Sequence, residues 1–231
     1  MVGTGPCSLV RALLVVAVTI SPALLAQQPS VQDLDADALV QQLRNLPPHL
    51  PAGPISQLCP KSGPCPPPPL PPEEAKRQQI YSQLEALGVP AVQALARGLR
   101  GSDVNLKLNV LLALDVLGGG WYTPLHRVNI GAALPSLTMA LDDSNPEVRG
   151  WAAQDIGDIG SAAGPAVPKL IMLLSDKGEG VRNSACLGLT FIGPAAKSAL
   201  PVLRRRALSD PSHYVRSFAQ RAIWSIEVTT R

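Results

Sequence analysis

Acidic and basic side chains recur at a fixed spacing in the C-terminal half of this sequence. An aspartate is followed six residues later by an arginine three times, in the pairs Asp143 and Arg149, Asp176 and Arg182, and Asp210 and Arg216. An aspartate near a helix start can accept hydrogen bonds from free backbone N–H groups, and an arginine one turn later can pair with a carboxylate. The spacing therefore predicts a structural ladder, in which each arginine pairs with the aspartate of its own segment or of the adjoining one.

The cysteines are the other residues whose type could support chemistry. Cys59 and Cys65 flank the segment PKSGP, whose prolines and glycine can reverse the chain, so we expect a small loop closed by a disulfide. Two thiolates without a nearby histidine would supply only half a zinc site, and a redox pair normally has the closer Cys-x-x-Cys spacing. Cys186 adjoins Ala185 on a predicted helix, which indicates a buried small hydrophobic residue rather than a nucleophile.

Catalytic and ligand-binding motifs are missing from the sequence. It contains no Ser-His-Asp set, no phosphate-binding loop and no cluster of metal ligands. The net charge of +3 does not demand a nucleic-acid partner, and the basic run Arg204 to Arg206 is typical of a solvated helix face. We therefore predict no catalytic residue, no metal and no cofactor.

The ladder lies on an internal repeat. Three segments align almost without gaps, and they are residues 134–160, 167–193 and 200–226. The proline at the second position of each segment recurs every 33 residues, which is the length of one helical hairpin. Because proline is tolerated in the first turn of a helix but costs about 3 kcal/mol in its interior, these prolines mark the start of the first helix of each hairpin.

Apolar residues form one stripe along each predicted helix. In the second helices they fall at offsets of 0, 4, 8 and 11 residues, which trace one helical face. These residues are Val148, Ala152, Ile156 and Ile159; Val181, Ala185, Leu189 and Ile192; and Val215, Ala219, Ile223 and Ile226. The first helices contribute Leu134, Leu137 and Leu141; Leu170, Leu173 and Leu174; and Leu203 and Leu208. One hairpin cannot bury such a stripe alone, so neighbouring hairpins must stack.

Further helices precede the three regular repeats. Pro90–Leu99 and Val104–Leu117 are predicted to form an end hairpin, whose apolar face is intact but which lacks the polar signature. A helix over residues 73–87 comes before it. A short amphipathic helix is predicted over residues 33–46, in the segment 27–46, and it either docks on the repeats or stays separate. Its apolar side would hold Leu34, Ala38, Leu39, Gln42, Leu43 and Leu46.

The N-terminal third is predicted to contain an export signal and a linker to the repeat domain. Residues 1–26 carry Arg11, an uncharged apolar run and a small residue at Ala26, a pattern that predicts a secretory signal peptide. The run is interrupted by Pro22 and is shorter than the roughly 20 residues that span a membrane. We therefore expect an exported protein, periplasmic or secreted, with no membrane span after cleavage. Residues 47–72 contain twelve prolines, which predicts a disordered or extended linker before a repeat domain over residues 73–231.

The repeat signature resembles a known superfamily. The segments DSNPEVR, DKGEGVR and DPSHYVR, followed by small residues and by Ile159-Gly160 or Ile192-Gly193, are similar to HEAT repeats in their short form, as in phycocyanobilin lyases. This resemblance implies an all-α fold, a right-handed α-α superhelix of about four helical hairpins. The segment TPLH at Thr123–His126 matches the start of an ankyrin repeat, but it occurs once, within an insertion of about nine residues.

The resemblance also points to two enzyme activities found in this superfamily. Deoxyhypusine hydroxylases of this superfamily bind iron through His-Glu pairs, but none of His49, His126 and His213 is followed by a glutamate. The similarity to bilin lyases implies a cofactor-binding or enzymatic alternative, for which no catalytic motif transfers to this sequence.

Aromatic residues beside the predicted core are the candidates for partner binding. We predict that Trp151, Phe218 and Arg221, with Trp121 and Tyr122 of the insertion, border a recognition surface, because aromatic and arginine side chains carry much of the binding energy at interfaces. The alternative for these aromatic residues is packing between repeats. The sequence therefore favours a non-catalytic scaffold that binds a protein partner.

Overall fold

The structure is a computed structural model that describes residues 35–47, 71–119 and 128–228, and all of them belong to one compact unit, Leu34–Arg231. Within these ranges every regular element is helical, as predicted. The α-helices are α1 (Ala36–Arg44), α2 (Pro72–Leu87), α3 (Val89–Gly98), α4 (Val104–Gly118), α5 (Leu134–Ala140), α6 (Pro146–Asp158), α7 (Val167–Leu173), α8 (Glu179–Ile192), α9 (Leu200–Ser209) and α10 (His213–Val228). Short 3-10 helices at Ile130–Ala133, Gly160–Ala166 and Gly193–Ala199 lead into α5, α7 and α9.

Several sequence predictions concern residues outside the described ranges. They are the signal peptide over residues 1–26, most of the proline-rich linker over 47–72, the disulfide between Cys59 and Cys65, and the aromatic pair Trp121 and Tyr122. These predictions stay as they were stated.

Four helical hairpins form the repeat domain, α3 with α4, α5 with α6, α7 with α8, and α9 with α10. Each repeat proline lies in the first turn of its helix, as expected from its missing N–H group. The second helices stack on one another in the order α4, α6, α8 and α10. Their apolar stripes form one continuous core in which Val148, Ala185 and Val215 are buried.

Four predicted core positions differ from the prediction, and the first of them, Leu134 at the start of α5, is half-buried. Leu208 is 85% exposed, because the third repeat has one additional residue between its proline and its turn aspartate, and Ala207 takes the position of Leu141 and Leu174. Ile159 is half-buried where it ends α6. Ile223 is also half-buried, and Ala222 beside it lies in the core instead.

Small residues let α6 and α8 approach closely. A Cβ atom added to Gly188 would lie 2.4 Å from the carbonyl oxygen of Ala153, and one added to Gly157 would lie 2.8 Å from the Cα atom of Gly188. Only glycine fits at these two crossing points, because both obstacles are backbone atoms that cannot turn aside.

Gly193 ends α8 in a conformation that favours glycine. Its φ of +65° turns the chain into the 3-10 helix before α9, and Gly160 has a φ of +73° at the matching place after α6.

The stretch Glu179–Ser209 has the length and hydropathy of a membrane span, but 56% of its apolar window is buried in the protein. The turn at Gly193 divides this stretch into the two core helices α8 and α9.

Helix α1 docks on α2, α3 and α4 and so extends the core at the N-terminal end. Leu39, Val40 and Leu43 are buried in this contact, whereas Ala38 and Gln42, which we predicted on the same side, are exposed. The buried face is thus rotated toward Val40 relative to the predicted one.

Buried polar side chains fix the C-terminal end of α1. Arg77 is 2% exposed, and it donates to Asn109 Oδ1 at 2.6 Å and to the carbonyl of Pro47 at 2.7 Å. Asn109 Nδ2 donates in turn to the carbonyls of Leu43 and Leu46, at 3.0 and 3.2 Å. These bonds hold the end of α1 and the residues that follow it against α2 and α4.

Candidate functional site

The predicted ladder residues pair between neighbouring repeats. Arg149 donates from Nε to Asp176 Oδ2 at 2.9 Å and from Nη2 to Asp176 Oδ1 at 3.0 Å. Arg182 makes the same two bonds to Asp210, at 2.9 and 3.0 Å. Of the two partners that the sequence left open, both arginines therefore bind the turn aspartate of the following repeat, and each does so in the bidentate geometry that makes a strong ion pair.

The third donor of each arginine holds the turn of its own repeat. Nη1 of Arg149 donates to the carbonyl of Asp143 at 2.8 Å, and Nη1 of Arg182 donates to that of Asp176 at 3.0 Å. Arg216 makes the same bond to the carbonyl of Asp210 at 2.7 Å. Within residues 128–228, no carboxylate pairs with Arg216.

A lysine begins the ladder at the end hairpin, which we predicted to lack the polar signature. Lys107 Nζ donates to Asp143 Oδ2 at 2.6 Å, and both side chains are largely buried. Lys107 directly follows Leu106, the first residue of the apolar stripe of α4, as Arg149 follows Val148 in α6. The prediction holds for the aspartate, since Gly101 stands six residues before Lys107, but it missed the cation, because this position accepts lysine as well as arginine.

The ladder aspartates are charged structural groups. Burial acts to raise the pKa of Asp176, but hydrogen bonds from Arg149 and from the backbone N–H of Gly178 outweigh it and hold the pKa below the ordinary 3.8. Burial likewise opposes the hydrogen bonds from Arg182 and Ser212 at Asp210, and its pKa is also lowered. These groups are therefore ionised near neutral pH.

Cys186 has no access to solvent. The thiol is fully buried, and burial raises its pKa to about 12. A thiol in this state packs as a small apolar group and does not act as a nucleophile near neutral pH.

A recess opens on the surface formed by the four second helices. Its volume is about 300 Å³, and it is lined by Asp115 of α4, Trp151, Gln154 and Asp158 of α6, Leu187 and Phe191 of α8, and Phe218 of α10. The lining side chains come from four helices of the stack, so no single repeat could form the recess. Its walls are mainly aromatic and apolar, and two carboxylates lie at its α4 and α6 side.

The predicted partner-binding residues separate into three groups. Trp151 and Phe218 line the recess, and each is half-buried against the core. Arg221 is exposed on α10 and is not part of the recess lining. Trp121 and Tyr122 lie outside the described residues.

An acidic cluster adjoins the recess, and two of its three residues, Asp115 and Asp158, line it. Asp115, Asp155 and Asp158 each place a carboxylate oxygen within 4.8 Å of the other two. Asp155 is 0% exposed, and among the described residues neither of its carboxylate oxygens has a hydrogen-bond partner. Burial, followed by the charges of Asp115 and Asp158, raises the pKa of Asp155 well above 3.8, and burial raises the pKa of Asp115 to about 6.

This cluster was not predicted from the sequence. Asp155 and Asp158 were visible beside the core stripe of α6, three residues apart. Asp115 stands 40 residues earlier, within the apolar run LLALDVLGG. An acid in such a run is the available signal, since a carboxylate is rarely buried unless it is paired or binds a cation.

Comparison with protein families decides the repeat type. The HEAT-repeat family matches residues 134–224, which include α5 to α10. Residues 134–224 are HEAT repeats. The single ankyrin-like TPLH segment precedes the matched range.

Solved structures place these HEAT repeats among designed and natural solenoids. A designed armadillo repeat protein in complex with the peptide (KR)4 is 22% identical with a TM-score of 0.52, over 64% of this chain and 69% of that one. The complex of CpcE and CpcF of phycocyanin lyase from Nostoc sp. PCC7120 is 20% identical with a TM-score of 0.52, over 64% of this chain and 89% of that one. Another engineered protein is 25% identical with a TM-score of 0.53, over 68% and 72% of the two chains. Comparison with curated proteins gives no match.

Proposed function

We propose that this protein is a non-catalytic scaffold of the periplasm or the secreted space, which binds a protein partner through the recess between its second helices. The observation that carries the proposal is a set of large apolar side chains, from three successive helices, that remain accessible in one recess. The export part of the proposal is supported by the signal-peptide pattern of residues 1–26.

The recess has the composition of an interface core. Phe191 is 43% exposed, and Trp151, Leu187 and Phe218 are half-buried around it. Aromatic residues that surround a pocket of this kind supply a large share of binding energy when a partner side chain excludes water from it. A volume of about 300 Å³ suits a few side chains of an extended segment rather than a whole domain.

The fold comparisons support this use of the surface. The designed armadillo repeat protein with a similar fold was solved in complex with the peptide (KR)4. A stack of helical hairpins offers an extended surface on which one stretch of a partner can contact several repeats in succession.

Alanine substitutions of aromatic residues test the proposed recess. Partners would be captured from envelope and secreted extracts on the purified full-length chain, and the affinity of the captured partner would be measured for each variant. We expect Trp151→Ala and Phe191→Ala to weaken binding at least about tenfold, because both remove accessible wall atoms. Trp224→Ala is the matched control, since Trp224 is 66% exposed on α10 and does not line the recess.

Circular dichroism and thermal unfolding show whether each variant is folded. Folded recess variants that bind the partner as strongly as the Trp224→Ala control would contradict the proposal.

The export part of the proposal has its own test. The expected result is a mature protein that begins at Gln27. Full-length protein retained in the cytoplasm would contradict export.

A cofactor-binding function is the second candidate. It is favoured by the fold similarity to the CpcE and CpcF complex of phycocyanin lyase and by acids placed beside an apolar recess. Titration of the purified protein with a linear tetrapyrrole would shift the absorption spectrum if the recess holds such a group. An unchanged spectrum at saturating ligand would reject this candidate.

A further inference from the structure

We propose that Asp115, Asp155 and Asp158 form a binding site for a divalent cation of the size of Ca²⁺, adjoining the recess. This site goes beyond the proposed partner binding, because it needs no partner to form. Its ligands come from two helices, Asp115 from α4 and the other two from successive turns of α6.

The three carboxylate oxygens lie close enough together to bind one ion. Because the three carboxylate oxygens lie within 4.8 Å of one another, a point exists within about 2.8 Å of all three. Ca²⁺ binds oxygen at about 2.3–2.6 Å, so small side-chain adjustments bring all three oxygens into its coordination sphere. Mg²⁺ requires a stricter octahedral geometry at about 2.0–2.1 Å, whereas Ca²⁺ accepts six to eight oxygens in variable geometry, so we assign the larger ion.

Asp155 supplies an observation independent of the cluster's acidity. Its side chain is 0% exposed, no donor of residues 35–47, 71–119 or 128–228 reaches either of its oxygens, and one of these oxygens lies within 4.8 Å of oxygens of Asp115 and Asp158. A buried carboxylate without a partner is costly when ionised, and a protonated one would still lack partners for its hydroxyl and carbonyl. A bound cation removes both costs, since it takes its ligands from the ionised form of the acids.

The recess gives an ion a route to the site and room for water. Asp115 and Asp158 line the recess, so an ion that enters it meets these two carboxylates first and Asp155 behind them. The space of about 300 Å³ holds the water molecules that complete the six to eight oxygen ligands of Ca²⁺. The cluster itself consists of carboxylates alone, which favours a hard cation over Zn²⁺ or Cu²⁺.

Terbium luminescence tests the site directly in the full-length chain. Tb³⁺ replaces Ca²⁺ at oxygen sites, and a nearby tryptophan transfers excitation energy to it. Trp151 lines the same recess as Asp115 and Asp158, so we expect Tb³⁺ emission on excitation of tryptophan. Added Ca²⁺ should displace Tb³⁺ and remove the emission, and Ca²⁺ should also raise the melting temperature of metal-free protein.

Conservative variants separate this site from general binding to acidic residues. Asp155→Asn and Asp115→Asn keep the side-chain shape, and each should lower the affinity for Tb³⁺ and Ca²⁺ roughly tenfold or more. Glu147→Gln, at an exposed position of α6 outside the cluster, should bind both ions as the wild type does. Circular dichroism would establish that each variant is folded.

Three results would overturn the proposal. They are the absence of Tb³⁺ emission and of a Ca²⁺-dependent melting shift in the wild type, unchanged affinity in both folded asparagine variants, and an equal loss in Glu147→Gln. The first result would mean that the three acids are protonated or pair with a basic group of the partner. It would not contradict partner binding by Trp151 and Phe191.

Discussion

At the scale of single residues, burial distinguishes ion pairs that look alike in the sequence. The carboxylate of Asp210 is 0% exposed and receives both donors of the Arg182 fork, whereas the side chain of Asp142 is 64% exposed in its pair with Lys169. Solvent screens the second pair, and surface pairs contribute little to stability. Removal of one partner of a buried pair instead leaves a desolvated charge.

Asp210→Asn should therefore lower the free energy of unfolding by about 3 kcal/mol, because Arg182 would stay buried without its carboxylate. Asp142→Asn is the matched control and should change it by less than about 1 kcal/mol. Urea unfolding of both variants measures the difference. Equal effects at the two positions would show that the ladder does not carry the stability that its geometry implies.

At the scale of helices, the crossing of α6 and α8 depends on two glycines. The backbone of Ala153 lies so close to Gly188 that even a methyl group there would force the helices apart. The same two helices carry Trp151, Gln154, Leu187 and Phe191 of the recess. Their close approach thus sets the width of the binding surface as well as the packing of the core.

Gly188→Ala should cost at least about 2 kcal/mol of unfolding free energy, because the new Cβ atom would meet a carbonyl oxygen at 2.4 Å. Gly180→Ala, in the first turn of the same helix, has no atom within 4 Å of the new methyl group. It should leave stability unchanged or raise it slightly, since alanine favours the helix. Thermal unfolding compares them, and a Gly188→Ala protein as stable as Gly180→Ala would contradict the close crossing.

Helices and their order were predictable, whereas the contacts between helices were only partly so. The repeat prolines, the apolar stripes and the aspartate–arginine spacing all depend on local periodicity, which the sequence displays directly. The acidic cluster depends on which turns of α4 and α6 come into register, and no local pattern specifies that. Leu208 was assigned to the core for a similar reason, because one additional residue in α9 changed the register of its apolar face.

At the scale of the whole molecule, stability is distributed along the stack. Each hairpin contacts mainly the one before and the one after it, so a local defect is expected to open its own end of the stack first. Helix α1 is the outermost layer of the described core at the N-terminal end, where Leu43 is fully buried against α2, α3 and α4.

Leu43→Ala should destabilise the protein by about 3 kcal/mol, through lost burial and the cavity that remains. Hydrogen exchange should accelerate first in α1 to α4, while α8 and α10 keep most of their protection. Leu208→Ala is the control, because Leu208 is 85% exposed and its truncation should change little. Uniform acceleration along the chain would indicate a single cooperative unit instead.

The ion-pair ladder gives the stack a polarity. Lys107, Arg149 and Arg182 each bind an aspartate of the repeat that follows, while Arg216 in α10 donates to backbone carbonyls at 2.7 and 3.2 Å. A duplicated hairpin grafted behind α10 would bring its own turn aspartate to Arg216, which has no carboxylate partner within residues 128–228, so the array could be lengthened modularly in that direction. Grafting at the opposite end would first require α1 to be displaced.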